Sequence, residues 1–513
     1  MIAQSLFSLL APELTLTIAG AVILILGLSR VSATRDLAAP LAVVSVLIAL
    51  VMGWYTMTDM PVGKAGLLLT NLTWYVRLIA LGVGLVVLLV HWPLATGAFN
   101  HERGDLFAMI LFSLAGITLT SIADDLVILF LAIELVSVPT YVLVSIGRSD
   151  IHAQEAGVKY FFLGAMSAAL MVYGFSFLYG ASGTTNLSAM QLSADGSFAT
   201  IGLLLAFAGL SYKVAAVPFH AYAADVYQGA ASPVTGLLGF FPKLAGFVAI
   251  IKLLMLTQVD GATAGWQLPG IAFTFLWLVA AFTMTVGNVL GLMQHNVKRI
   301  LAYSSIAHSG YMLIGLLVGP VPEGQAGVLR DGVSAALFYI VIYGLMNLGA
   351  FAVLSVLEAR GRDAETIDDI AGLARRDLPL AAALAVCCFS LMGMPLTAGF
   401  FGKVYIFGAA LSAGAENPHQ QALIWLAIIG LLNSAIAAAY YLRIIAACFL
   451  RAEEPVMTVA PRTGGARLGV AVCCVVILLV GLWPTGLLKL ARAARQPFVD
   501  TPPARAVALD TNR

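Results

Sequence analysis

Charge is scarce in this chain. Of its 513 residues only 10% are Asp, Glu, Lys or Arg, and the formal net charge is +1 at pH 7. Soluble domains carry about a quarter charged residues, so a water-soluble globular fold is excluded, and a balance this near neutral argues against a nucleic-acid partner. Cysteine is scarce as well. Cys387, Cys388, Cys448, Cys473 and Cys474 lie inside or at the ends of apolar runs. Neither CC pair has the spacing of a metal-ligand set, and a buried thiol usually behaves as a small hydrophobe; no iron–sulfur cluster is expected. No glycine-rich phosphate-binding sequence stands in a strand–helix context, so any redox chemistry is expected in a partner. The N-terminus has neither a basic n-region nor a small-residue cleavage site, and no removable signal peptide is expected.

Apolar residues make up 61% of the chain. Stretches of about 20 residues, enough to span a bilayer, begin near Leu14, Ala38, Thr73, Leu106, Asp125, Ala156, Ala199, Pro233, Ala272, Ile300, Val333, Pro379, Leu423 and Leu468. The expectation is an all-α polytopic membrane protein of about fourteen helices, with no room for an extramembrane catalytic domain. Loops after odd-numbered spans hold Arg30, Arg35, Arg103, Arg148, Lys298, Arg299, Arg360, Arg362, Arg375, Arg376, Arg451, Arg462 and Arg467, while the other loops hold little beyond Lys64 and Arg330. By the positive-inside rule the odd loops are cytoplasmic and both termini periplasmic. The tail charges Lys489, Arg492, Arg495, Arg505 and Arg513 argue the other way, and the loops are given more weight.

Two spans carry a proline in mid-run, Pro218 in GLSYKVAAVPFHAYAADVYQGA and Pro395 in FSLMGMPLTAGFFGKVYIFGAAL. Proline removes an i→i−4 hydrogen bond, and in a bilayer the freed carbonyls must face protein or water. Each interrupted span also carries a lysine, Lys213 before its proline and Lys403 after its own. These spans are five apart, as are those bearing Glu134 and His308. That spacing predicts two five-helix repeats of inverted topology, over 104–256 and 268–451. Three helices precede them (1–103), and a last helix and polar tail follow (452–513). The longest polar connection, 358–379, reads as a solvated cytoplasmic loop with a short helix at Ile367–Arg375, and 180–197 as a loop on the other side.

An ion at bilayer depth costs about 2.5–3.5 kcal/mol on translocon scales. Lys213, Lys243, Lys403, Glu134 and His308 all lie well inside apolar runs, and together they read as protonatable sites for proton transfer. A static ion pair is the bland alternative for Glu134 and Lys213, and a hydrogen-bonded core residue for His308. The serines around His308 (Ser304, Ser305, Ser309) offer polar surroundings, and its ordinary titration near neutrality suits a relay. Lys159 lies only a few residues inside its span, where snorkelling and a site role are equally open. Lys252, nearer a span end, is expected to snorkel. His220, beside the first interruption, is open both to a relay role like that of His308 and to lining the cytoplasmic entrance, and Arg443 is a candidate for a structural role.

Four segments taken in order, LAIELVSVPTYVLV, YKVAAVPFHAYAADVYQGA, KRILAYSSIAHSGYMLIG and GMPLTAGFFGKVYIF, resemble the antiporter-like subunits of respiratory complex I, and the resemblance covers nearly the whole chain. Within that family it is nearest to the type with a lysine at the position of Lys403 and without a long lateral helix at its end. The resemblance implies a proton channel in the membrane arm of an NADH–quinone oxidoreductase of the bacterial inner membrane, among other membrane subunits. It implies no cofactor in this chain, with NADH, FMN, iron–sulfur clusters and quinone in partner subunits. It makes Glu134 and Lys213 a coupling pair, Lys243 the central relay, His308 a connecting group and Lys403 the exit-side lysine. Lys159 matches another family lysine. The expected mechanism is that redox work next door separates the pair, so that Lys213 releases its proton towards Lys243. The alternatives are a subunit of a multisubunit cation/proton antiporter and an assembly or scaffold protein with relic channel residues.

Overall fold

The computed structural model describes residues 6–56, 62–96, 103–148, 151–190, 192, 196–257, 265–321, 330–359, 365–414, 417–451 and 463–495. Arg360, Arg362, Arg462, Arg505 and Arg513, used above for orientation, and the tail from Gln496 onward lie outside the described residues.

The elements run α1 (Leu6–Leu9), α2 (Ala11–Gly27), α3 (Ser32–Arg35), α4 (Ala38–Trp54), β1 (Val62–Lys64), β2 (Leu67–Leu69), α5 (Asn71–Thr96), α6 (Arg103–Ile122), α7 (Leu126–Ile146) and α8 (Ile151–Ser182). They continue with α9 (Ser197–Lys213), α10 (Ala223–Gly229), α11 (Ser232–Leu238), α12 (Phe241–Met255), α13 (Gly270–Leu292) and α14 (Val297–Val318). The last are α15 (Gly332–Glu358), α16 (Leu373–Arg376), α17 (Leu378–Met392), α18 (Ala398–Leu411), α19 (Gln420–Leu450), α20 (Gly464–Leu482) and α21 (Thr485–Arg495). Among the described residues, 11 helical spans are long and apolar enough to cross a membrane, and α2, α9, α17 and α18 are shorter apolar helices. All fourteen positions named from the sequence as span starts fall within an apolar helix or, for Asp125, at its N-cap.

The helices start where local chemistry provides caps. Asp125 accepts from the amides of Val127 and Ile128 at the head of α7, Asn296 from Arg299 at α14, Asp331 from Ser334 at α15 and Asp377 from Leu380 at α17. Each satisfies an amide that the first helical turn leaves without a partner. Pro139 lies inside α7 without ending it. The small β1–β2 hairpin was not expected from the sequence; its turn has Ala65 and Gly66 both at positive φ, as a two-residue turn matching strand twist requires.

Burial is graded. Helices α14 and α15 and the α11–α12 span are enclosed almost all round, which is how a helix apolar on every face is accommodated. Helices α2, α4, α8, α13, α19 and α20 keep one apolar face outward, with Phe161, Phe162, Met166, Phe282 and Leu432 among the exposed side chains. Helix α15 packs on α5, α11, α14, α17, α18, α20 and α21, and α14 on α10, α13, α15, α18 and α19. The segment after the last span includes α21, which buries Leu488, Ala491, Ala494 and Arg495 on one stripe against α5 and α15.

Candidate functional site

Helix α9 ends at Lys213, five residues before Pro218, and no helix resumes until Ala223. Lys213 is 4% exposed. Its Nζ donates to Glu134 Oε1 at 2.8 Å, to Ser137 Oγ at 2.7 Å and to Tyr141 OH at 3.5 Å. Those three partners lie at i, i+3 and i+7 of α7, one helical face. The carboxylate is 21% exposed and the ammonium 3%, so the pair is shielded chiefly from the lysine's side.

The interruption also supplies the link to the next lysine. The carbonyl of Val214, just past the end of α9, accepts from Ser309 Oγ at 2.6 Å, and Ser309 Oγ accepts from Lys243 Nζ at 2.8 Å. Lys243 donates further to the Ser305 carbonyl and lies 5.2 Å over the Tyr343 ring. Closeness here depends on Gly246, one turn beyond Lys243. A Cβ at that position would lie 2.8 Å from Val214 Cγ1 and 3.2 Å from the Lys213 Cβ. The Lys243 helix itself begins at Phe241 after a break at Gly239 and Phe240. Sequence reading did not mark this break, although Pro242 in the first turn is its signal.

His308 is 1% exposed. Its Nδ1 pairs with Tyr339 OH at 2.7 Å and its Nε2 with Tyr441 OH at 3.1 Å; Tyr441 OH also meets Ser304 Oγ. The imidazole stacks 5.1 Å from Tyr343 and meets Tyr311 edge-on at 5.5 Å. Tyr311 in turn lies 5.2 Å beneath Lys403 Nζ. The two lysines are therefore joined by rings in the order Lys243, Tyr343, His308, Tyr311, Lys403. Lys403 donates to Ser434 Oγ at 2.7 Å and to the carbonyl of Met392 at 2.9 Å. Met392 is the last residue of α17, where Gly393 at φ +90° and Leu396 at φ +71° turn the chain before α18. Both interruptions thus provide a backbone oxygen to the site.

The structure brings Glu134, Lys213, Lys243, His308 and Lys403 into one buried polar row. Lys159 stands apart. Its side chain is 43% exposed and pairs with Glu155 at 2.7 Å and Asp225 at 3.1 Å, and Asp225 also holds Arg299. Lys252 is 9% exposed and donates at 2.7 Å to the carbonyl of Ala123, in the connection between α6 and α7. Asp124 lies nearby. Arg443 donates to the Gln294 carbonyl, and His220 has an Nδ1 without a partner. The tyrosines were missed by sequence reading; Tyr339 and Tyr343 at i, i+4 and the Tyr440–Tyr441 pair were the available signals. Among the described residues no group of three or more His, Cys, Asp or Glu side chains is arranged to hold a metal.

Residues 123–437 match the family model described as NADH:quinone oxidoreductase/Mrp antiporter, TM. The NADH-quinone oxidoreductase subunit N of Trichlorobacter lovleyi is 37% identical over 497 residues, covering 95% of this chain and 96% of the relative. A chain of respiratory complex I from Thermus thermophilus superposes with a TM-score of 0.75 at 30% identity, covering 93% of this chain and 98% of that one. A chain of the Mrp complex of Dietzia superposes at 0.79 with 20% identity over 95% of this chain and 98% of its own, a likeness of fold alone.

Proposed function

This chain belongs to the NADH:quinone oxidoreductase/Mrp antiporter family of membrane subunits, and from that premise we propose that it is the proton-translocating subunit N of a bacterial NADH–quinone oxidoreductase. It is a multi-pass protein assembled with the other membrane subunits of the complex. NADH oxidation at FMN and iron–sulfur clusters and the reduction of quinone belong to partner subunits, and this chain moves protons. The observation that carries the reading is the Glu134–Lys213 pair at a helix interruption whose Val214 carbonyl shares the Ser309 hydroxyl with Lys243.

The mechanism uses those contacts. While Glu134 faces Lys213, the ammonium is stabilised by an opposite charge at 2.8 Å and by two hydroxyls. When redox work in a neighbouring subunit draws the pair apart, desolvation of the ammonium is no longer offset. Lys213 then gives up its proton towards Lys243, whose hydroxyl partner Ser309 reaches back to the Val214 carbonyl beside Lys213. From Lys243 the proton passes by way of Ser305, His308 and their tyrosines to Lys403. Tyrosine and serine hydroxyls can each donate and accept, so Ser309, Tyr339, Tyr343 and Tyr441 are able to relay, while the Val214 and Ser305 carbonyls only accept.

The short helices α2 and α9 and the α17–α18 pair complete fourteen crossings, with both termini periplasmic, in the inner membrane. The inverted repeats over 104–256 and 268–451 are supported by parallel packing. Helices α6, α7, α8 and α9 pack in succession, as do α13, α14, α15 and α17. Lys159 serves at the cytoplasmic edge, where its charge cluster is exposed.

The test is purification of the detergent-solubilised complex containing this chain, followed by reconstitution in vesicles. NADH-driven acidification of the lumen that collapses in Lys243→Met, with NADH oxidation by artificial acceptors preserved, supports the proposal. Cation-stimulated proton exchange without NADH dehydrogenase activity in the purified complex would assign the chain to a cation/proton antiporter instead.

A further inference from the structure

The cytoplasmic end of the molecule holds a further buried ion pair that the row of lysines does not use. Lys298 is fully buried, although it is the second residue of α14, and its Nζ lies 2.5 Å from Glu358 Oε1. Glu358 is the last residue of α15 and its side chain is 22% exposed. Ser232, the first residue of α11, donates its amide to Glu358 Oε2 at 3.0 Å and its hydroxyl to Oε1 at 2.7 Å. Lys298 also donates to the Ala230 carbonyl at 3.1 Å.

Helix stability does not account for the pair. A lysine in the first turn and a glutamate in the last turn both oppose the helix dipole. Burying a pair in place of apolar side chains gains little and often costs stability. The position of the pair has a different consequence. Counting along α14 from Lys298, Ser305 and Ser309 follow at seven and eleven residues, so all three lie on one stripe of the helix. The first step is two turns, about 10.5 Å. Ser305 and Ser309 are the two residues that hold Lys243. Tyr227, three residues before Ala230, bonds Ser305 Oγ through its own hydroxyl at 3.2 Å. A partly exposed glutamate side chain thus stands at the head of a stripe whose polar residues, Ser305 and Ser309, meet the central lysine, with the buried Leu301 and Ala302 between them.

We infer that Glu358, positioned by Lys298, is the proton-uptake group of the cytoplasmic face, feeding Lys243 along this stripe. The inference rests on the proton-carrier reading of Lys243 given above. One proton passes from bulk water to the Glu358 carboxylate. It has to cross the Leu301–Ala302 turns on water admitted beside α14, passes the Tyr227–Ser305 hydroxyl pair, and reaches the neutral Lys243 amine by way of its Ser309 hydroxyl partner. Glu358 then faces Lys298 as a carboxylate again, and the charge of the pair is restored each cycle.

The experiment is NADH-driven lumen acidification by vesicles containing the assembled complex, with and without imidazole as a diffusible proton carrier. Glu358→Gln is expected to slow transport by roughly a hundredfold or more, the lower end of the range for loss of a positioned proton-transfer group. Glu358→Asp should stay within about twofold of the parent, since it keeps a titrating carboxyl. Imidazole should restore Glu358→Gln but not Lys243→Met. If Glu358→Gln does not assemble, Tyr227→Phe, which removes a relay hydroxyl and leaves the ion pair intact, is expected to show the same slowing. Parental rates in Glu358→Gln overturn the assignment. So does slowing that imidazole leaves untouched and that the neutral double variant Lys298→Met/Glu358→Gln reverses, because that pattern belongs to a clamp. Parental transport by Lys243→Met would instead overturn the underlying reading, whatever Glu358 does.

Discussion

Replacing Glu134 by Gln and by Asp separates a proton switch from a clamp. At the observed 2.8 Å and an effective dielectric of about 20, the Glu134–Lys213 attraction is roughly 6 kcal/mol. That is an upper value, because the carboxylate is 21% exposed and water screens it. Asp withdraws the carboxylate by about one bond projection, 1.5 Å, which leaves roughly 4 kcal/mol by the same relation. Gln keeps the length and a hydrogen-bond acceptor but removes the whole charge term, leaving Lys213 with the neutral oxygens of Ser137 and Tyr141. A switch therefore orders coupled turnover as Glu, then Asp, then Gln, with Gln at least about tenfold below the parent, since 1.4 kcal/mol is already a factor of ten. A clamp exchanges the last two, giving Glu, then Gln, then Asp, because Gln matches the shape and Asp does not. The assay is NADH–quinone turnover in vesicles, normalised to NADH oxidation by an artificial acceptor in the same equally assembled complexes. Gln turning over as fast as Asp, or faster, refutes the electrostatic switch.

Three further outcomes follow from contacts in the structure. Lys403→Arg is expected to transport poorly, because arginine stays protonated and the space beside Gly393 is tight, whereas Lys403→Glu retains more because it can titrate; Arg near parental with Glu inactive would make Lys403 a structural charge. Gly246→Val, whose Cβ would lie within 2.8 Å of Val214 Cγ1, should cost about 1–3 kcal/mol of overpacking and depress coupled turnover while artificial-acceptor activity persists; unchanged proton transport counts against the Lys213–Lys243 link. Arg77→Ala strands the buried Glu13, which Arg77 holds through two contacts at 2.8 and 2.9 Å, and should cost about 3–5 kcal/mol, read as a lower thermal midpoint of the N-terminal helices with transport per intact complex unchanged.

The apolar runs and the lysines inside them were legible because hydropathy and charge are read along one dimension. Every span found from the sequence has a helix, and five of the six candidate residues meet in the row. What was not legible depends on neighbours brought in from distant segments. Tyr311, Tyr339, Tyr343 and Tyr441 look like ordinary apolar core until the fold sets them around one imidazole. The carbonyl partner of Lys252, that of Ala123, is 129 positions away. Lys298 counted as a loop charge for orientation, yet its partner at the end of α15 buries it completely. The break before Lys243 depends on Gly239, where a side chain would meet Asn347, a crowding that local sequence does not announce. Pro139, conversely, is the kind of residue that ought to end a helix, and α7 continues through it.

Helix α14 has one last consequence, for how such a conductor changes over generations. Ser304, Ser305, His308, Ser309 and Tyr311 are all fixed to the same rod, at 1.5 Å and 100° per residue. Inserting or deleting a single position between Lys298 and Tyr311 turns every later group away from its partner at once. Spacing along this rod is therefore effectively frozen. Adaptation to a different driving force or membrane has to come from the facing tyrosines and lysines, one exchange at a time.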